Sequence, residues 1–159
     1  MSITAIEKKL IQDSFAKVAP IADKAAEIFY GKLFEYDPAL KRLFKGDMKS
    51  QGRKLMNTLG VAVKGLDDLE SLVPVLQSIA VKHVTYGVKV DDYTPVGNAL
   101  LYALKTGLGS DFDTQTRNAW VKIYSTIATV MRSAAYPNYD PNTYKNRRQY
   151  NRQKNQNYA

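Results

Sequence analysis

The 159-residue chain contains no cysteine and a single histidine, His83. Without thiols there is no disulfide, no thiolate-held metal and no iron–sulfur cluster. One imidazole is too few for most zinc and copper sites. The lack of cysteine also fits a reducing compartment. Long hydrophobic runs are missing as well: nothing reaches the roughly 20 apolar residues of a membrane span. The N-terminal MSITAIEKKLIQDSF reads as an amphipathic helix without the apolar run of a secretory leader. These absences lead to the expectation of a soluble, cytoplasmic protein. There is no P-loop and no G-x-G-x-x-G. A Ser-His-Asp triad around His83 is formally open, but no G-x-S-x-G elbow accompanies it.

Acidic residues are scarce in one place. From Lys145 onward the chain carries Lys145, Arg147, Arg148, Arg152 and Lys154 and no acid. The net charge is +8 and the pI about 9.5. About half of the excess therefore lies at the C-terminal end. The remainder is only mildly basic, so its function need not be electrostatic, and no nucleic-acid partner is expected of it.

What is present is helical periodicity up to about Ala135. Ile6, Leu10, Ile11 and Phe15 form one apolar face, and Pro20 marks a break. Ile21, Ala25, Ile28, Phe29 and Leu33 form a second stripe. Asp37-Pro38 reads as a short helix start ending near Phe44. A further helix begins near Lys49 or Ser50, and Gly65-Leu66-Asp67-Asp68 ends it and caps the next. That next helix carries Pro74 near its start and His83 near its end, with Gly87 as the stop. Asp91-Asp92 is expected to cap a helix from Tyr93 to Leu108, and Asp113 the last long one. No segment has a strand period. The expectation is an all-α domain over 1–135 with seven to eight helices. Residues 136–159 are rich in Asn, Tyr, Gln and Arg, with almost no aliphatic side chain. Such a tail buries too little apolar area to offset its ordering entropy and is expected to be flexible or disordered.

His83 narrows the chemistry. A lone histidine near a helix end is ordinarily a half-buried structural residue. Haem, however, is a cofactor that needs only one protein ligand, its other face staying open. With no C-x-x-C-H, any haem here would be held non-covalently.

The surrounding residues are more specific. Ile79-Ala-Val-Lys-His83-Val-Thr-Tyr-Gly87-Val88 resembles the proximal haem segment of single-domain bacterial haemoglobins and of flavohaemoglobin haem domains. Asp92-Tyr93-Thr-Pro95-Val96-Gly97 follows at matching spacing, and Ala119-Trp120 and Tyr124 are in step. Upstream, Phe29-Tyr30-x-x-Leu33-Phe34-x-x-x-Pro38-x-x-x-x-Leu43-Phe44 is similar to the distal-side pattern, and Gln51 stands 32 residues before His83, as the pattern places it. The resemblance runs over residues 4 to 134 and leaves out the tail.

The resemblance implies a globin fold around haem b and its iron. It makes His83 the proximal ligand through Nε2 and Phe44 a ring packed flat on the haem. Tyr30 and Gln51 become distal donors to a bound diatomic ligand, with Leu55 limiting its room. Val96 and Ile127 line the haem. Lys82, or alternatively Arg53 or Lys54, would pair with a propionate. Tyr93 would lie beside the proximal histidine. There the pattern has a glutamate on the last helix, and this chain has Ala135, so an electron-pushing network is not implied. The implied function is reversible binding of O2, CO and NO at a five-coordinate iron, for oxygen storage, delivery or scavenging. Three other readings stay open. One is a nitric-oxide dioxygenase served by a separate reductase, since no reductase domain is present in the chain. Another is a haem-based gas or redox sensor whose tail binds an anionic partner. The last is a haem-free interaction module, against which His83, Phe44 and Tyr30 argue together.

Overall fold

Local capping sets most of the helix starts. Thr4 and Glu7 form a reciprocal box: the Glu7 amide donates to Thr4 Oγ1 at 3.1 Å and the Thr4 amide to Glu7 Oε1 at 3.0 Å, so two amides that lack helical partners are satisfied. Asp47 accepts from the amides of Lys49 and Ser50, Asp68 from Ser71, and Asp113 from Thr116. The computed structural model describes residues 2–146 and 148. It has six α-helices: α1 Ala5–Val18, α2 Ala22–Tyr36, α3 Met48–Lys64, α4 Leu69–Thr85, α5 Tyr93–Leu108 and α6 Thr114–Ala135. Five short 3-10 helices complete the described elements, and no strand occurs among them. The all-α architecture is the one expected.

Stops are equally local. Gly87 and Gly109 have φ of 97° and 57°, a region that L side chains avoid, and they end α4 and α5. One expected cap differs. Asp92 does not cap α5; it lies in helical conformation at φ −68° and ψ −20°. Val90–Asp92 is a 3-10 turn running straight into α5. The Asp92 side chain therefore points back, and its Oδ2 accepts from the Lys89 amide at 2.7 Å.

The helices pack as α2 on α5, α4 on α6, α2 on α3 and α1 on α6. The buried Trp120 Nε1 donates to Ser14 Oγ at 2.9 Å, joining α6 to α1. The core is divided. One cluster, built on Ile11, Phe29, Tyr30, Leu33, Leu101 and Trp120, holds α1, α2, α5 and α6 together. The other, of Leu72, Leu76, Ala80, Tyr93, Ala128 and Met131, lies between α4 and α6. Half-buried Leu69, Tyr124 and Ile127 pack against both.

The sequence assigns everything after Ala135 to a mobile tail, and its first part makes definite contacts. Tyr136 OH donates to Val88 O at 2.6 Å, and Asn146 Nδ2 to Asp91 O at 3.2 Å. Tyr144 OH donates to Asp91 Oδ1. Arg148 pairs with Asp37 Oδ2 at 3.2 Å, with Asp91 Oδ2 at 3.7 Å and with Asp92 Oδ1. Arg147 and residues 149–159, on which the rest of the expectation of disorder falls, lie outside the described residues.

Candidate haem site

His83 sits in the last turn of α4. Its Nδ1 lies 2.9 Å from the carbonyl oxygen of Ile79, one turn earlier. A carbonyl only accepts, so Nδ1 carries the proton and Nε2 keeps its lone pair. Burial pushes the imidazole pKa below its ordinary value, against the upward pull of the Ile79 hydrogen bond. The ring is therefore neutral near pH 7, with its direction fixed and one donor atom available.

The helix α2 supplies Tyr30, buried at 7% exposure. Its ring meets Phe29 edge-on at 4.9 Å, Phe44 edge-on at 5.2 Å and Phe34 stacked at 6.0 Å. This cage leaves the phenol little freedom. Burial raises the Tyr30 pKa, while a side-chain hydrogen bond from Gln51 pulls it down. The first effect is the larger, so the hydroxyl keeps its proton and can donate. Gln51 reaches Tyr30 because α3 lies close on α2. The next residue, Gly52, is buried, and a methyl added there would stand 2.9 Å from the Ala26 Cβ.

Several apolar side chains at the edges of the two clusters are only half-buried. Phe44, Leu55 and Val96 edge the first cluster, Ile79 and Val88 the second, and Ile127 both. Among the described residues there is no group of three or more His, Cys, Asp or Glu able to hold a metal ion. A metal held by His83 must therefore bring its other ligands with it. One neutral imidazole with Nε2 left free, together with half-buried apolar side chains able to line a slot, is the donor set that a haem requires.

The profile of the globin family matches residues 27–131. The chain belongs to the globin family. It is similar to neuroglobin of Danio rerio, with 32% identity over 139 residues that cover 79% of this chain and 87% of that protein. Neuroglobin of Tetraodon nigroviridis is 30% identical over 143 residues, covering 81% and 90%. A flavohemoprotein of Halalkalibacterium halodurans is 30% identical over 126 residues, covering 77% of this chain and 31% of that much longer protein. Membership implies a haem cofactor with iron, and the residues present fit one.

In this globin, Tyr30 of α2, Phe44 after the segment Pro38–Leu43 and Leu55 of α3 pack in the first cluster, and Gln51 of α3 hydrogen-bonds to Tyr30. His83 lies on α4, and α5 and α6 carry Val96 and Ile127. Lys82 is exposed and forms no ion pair among the described residues. Arg53 and Lys54 are likewise exposed. Tyr93 is buried in the second cluster, and its hydroxyl has no hydrogen-bond partner among the described residues. The Arg132 guanidinium lies 5.4 Å from the Tyr93 ring centroid and 4.6 Å from that of Tyr144. Ala135 and Tyr136 pack on the same cluster. Sequence reasoning missed Gly52, Arg132 and Tyr136. Arg132 and Tyr136 stand at i and i+4 at the end of α6, a helical spacing that puts both beside the turn after His83.

Proposed function

We propose that this globin holds a non-covalent haem b on His83 and reversibly binds O2, and by the same chemistry CO and NO, as a cytoplasmic oxygen-binding protein. The haem supplies an iron with one coordination position open to a diatomic gas. The chain supplies everything else. Ile79 fixes the His83 ring so that Nε2 faces the slot. Phe44, Leu55, Val96 and Ile127 exclude water from it. Tyr30 presents a protonated hydroxyl toward the gas, and Gln51 orients that hydroxyl or donates beside it. Lys82 is a cation suited to a propionate, with Arg53 and Lys54 as alternatives. Tyr93 brings a buried hydroxyl to the proximal cluster.

The single observation that carries this reading is the hydrogen bond between buried Tyr30 and Gln51 in a chain whose one histidine is fixed by Ile79 with Nε2 left free. Two donors on the gas side favour slow release and therefore storage or scavenging. The experiment is the absorption spectrum of the haem-reconstituted protein, first ferric, then reduced, then with CO. A Soret band that shifts with CO and disappears in His83→Ala, returning with added imidazole, is the expected result. Absence of a stable band would overturn the haem reading. Split low-spin bands in the reduced protein before gas is added would mean that a distal side chain closes the iron, which favours the sensor reading. Rapid nitrate formation from NO with an added reductase would instead identify the dioxygenase.

A further inference from the structure

The mild overall charge of the helical domain hides a one-sided distribution. Between Pro38 and Lys64 the chain has seven cations, Lys41, Arg42, Lys45, Lys49, Arg53, Lys54 and Lys64, and one acid, Asp47. That acid is engaged in capping α3. Residues 2–37 hold five cations and six acids, and residues 65–148 nine and eight. Pairing separates the first two of these segments. All five lysines of residues 2–37 are in ion pairs: Lys8 with Asp67, Lys9 with Asp13, Lys17 with Asp111, Lys24 with Glu27 and Lys32 with Glu35. The seven cations of residues 38–64 are all exposed, and none belongs to an ion pair among the described residues.

This basic segment is also the one that carries Phe44, Gln51 and Leu55. Lys45 follows Phe44, and Lys54 precedes Leu55. Across a cleft of about 240 Å³, Arg42 faces Lys89 of the turn that follows α4. Asp37 and Asp92 line the same cleft, and Arg148 is tied to both. Uncompensated positive charge therefore lies on the same segment that carries Phe44, Gln51 and Leu55.

We propose that this face docks an acidic electron-donor protein, a flavin or iron–sulfur protein with a carboxylate-rich rim around its redox centre. The inference rests on the haem reading. Oxygen binding requires ferrous iron, and the chain has no thiol with which to make a redox centre of its own. In the docked pair, the partner's reduced flavin or cluster gives up one electron and the ferric iron gains it. No bond forms or breaks. Charge complementarity speeds such encounters without a large apolar contact. The composition of the face disfavours other polyanions. The one aromatic of residues 38–64, Phe44, is packed against Tyr30 and Phe34, so this segment presents no ring for stacking on bases. The apolar stripe of α3, with Leu55, Met56 and Leu59, packs on the core and is not offered to a lipid surface.

The test uses the haem-loaded protein and reduced flavodoxin, an acidic flavin protein, as the probe. The rim variant is Lys41→Glu/Lys45→Glu/Lys49→Glu; a control on α1 and α2 is Lys9→Glu/Lys24→Glu. We expect the second-order rate of iron reduction to fall at least about tenfold in the rim variant, and also in wild type as salt rises from about 20 to about 300 mM. The control should stay within about twofold. Reduction by a small uncharged hydroquinone should be the same in all three, which shows that the site is intact. Titration with oxidised flavodoxin should weaken in the rim variant alone, and this readout holds even if no haem is retained. Failure of the haem reading thus shows as a missing Soret band, and failure of the docking inference as charge-independent rate and binding. Unchanged flavodoxin binding with lost adsorption to phosphatidylserine vesicles, or to single-stranded DNA, would overturn the proposal in favour of lipid or nucleic acid.

Discussion

Gly52 is the position where the distal side of the site depends most on one atom. A Cβ there would lie 2.9 Å from the Cβ of Ala26. Carbons in contact rest about 3.5–4.0 Å apart, so α3 and α2 must separate by roughly 0.6–1 Å. Ala26 has no rotamer with which to yield. Overpacking of this kind costs about 1–3 kcal/mol. Against it stands the usual gain of about 0.8–1 kcal/mol when a helical glycine becomes alanine. Gly52→Ala should therefore change stability by between nothing and a loss of about 2 kcal/mol. Gly31, in the middle of α2, has nothing within 4 Å of the same built methyl. Gly31→Ala should show the propensity gain alone, near 1 kcal/mol, or about 2–4 °C in Tm for a domain of this size. Urea and thermal unfolding of the two variants side by side read the contrast. Oxygen dissociation adds a second readout: it should quicken in Gly52→Ala, whose Gln51 is carried away from Tyr30, and not in Gly31→Ala. Equal stabilisation by the two substitutions would refute the claim that α3 is held against α2 by the absence of that methyl.

Three other outcomes follow from the same structure. Lys122 and the Thr4 backbone lower the Glu7 pKa from 4.5 to about 2, so the carboxylate contributes stability that is complete above about pH 4.5 and is lost as pH falls through about 2. The difference between wild type and Glu7→Gln in urea unfolding should therefore be constant above pH 4.5 and shrink steadily below it; a gap undiminished at pH 2 would contradict the assignment. Arg148→Met leaves Asp92, whose side chain is 5% exposed, without its cation and should destabilise the fold by about 1–3 kcal/mol, with Asp92→Asn recovering part of the loss in the double variant. Tyr30→Phe keeps the ring among Phe29, Phe34 and Phe44 but removes the donor; loss of a hydrogen bond of about 1.4 kcal/mol would speed oxygen release about tenfold, readable by stopped flow.

The helical plan was legible because capping and stopping are local. Asp47, Asp68 and Asp113 do what an aspartate before an apolar stripe does, and Gly87 and Gly109 adopt the conformations for which glycine is suited. Asp92 was misread because a 3-10 turn ahead of α5 makes it helical, a distinction that one residue's identity does not encode. The candidate site was placed by the spacing of several motifs rather than by any one residue. Its tightness was not legible: the contact of Gly52 with Ala26 joins residues far apart in the chain, and nothing near Gly52 announces it. The first part of the tail was misjudged for a different reason. Its composition correctly says that it buries little apolar surface, but Tyr136, Tyr144, Asn146 and Arg148 engage polar atoms of the 88–92 turn and Asp37. The counting of apolar area does not see that kind of anchoring. The basic face was present in the sequence all along, and only the lack of ion pairs on α3 and the preceding segment among the described residues gave it meaning.

The divided core leads to one further consequence. Phe44, Leu55 and Val96 at the edge of the first cluster, Val88 at the edge of the second and Ile127 against both are apolar side chains that are each only half-buried. Fully burying a side chain of this size stabilises a fold by about 1.5–3 kcal/mol relative to exposure. A flat apolar group seated against them would add to that burial. Such a group binds the folded chain and not the unfolded one, so it must stabilise by mass action, by about 4 kcal/mol at a thousandfold excess over Kd. The melting temperature of this globin should then rise with haem concentration. His83→Ala should lose most of the rise, because the iron bond contributes to affinity, yet keep the stability of the apoprotein, because the imidazole contacts Ile79 within its own helix. A Tm independent of haem in the wild-type chain would mean that the slot closes on itself, and that the half-buried side chains are an ordinary loosely packed seam.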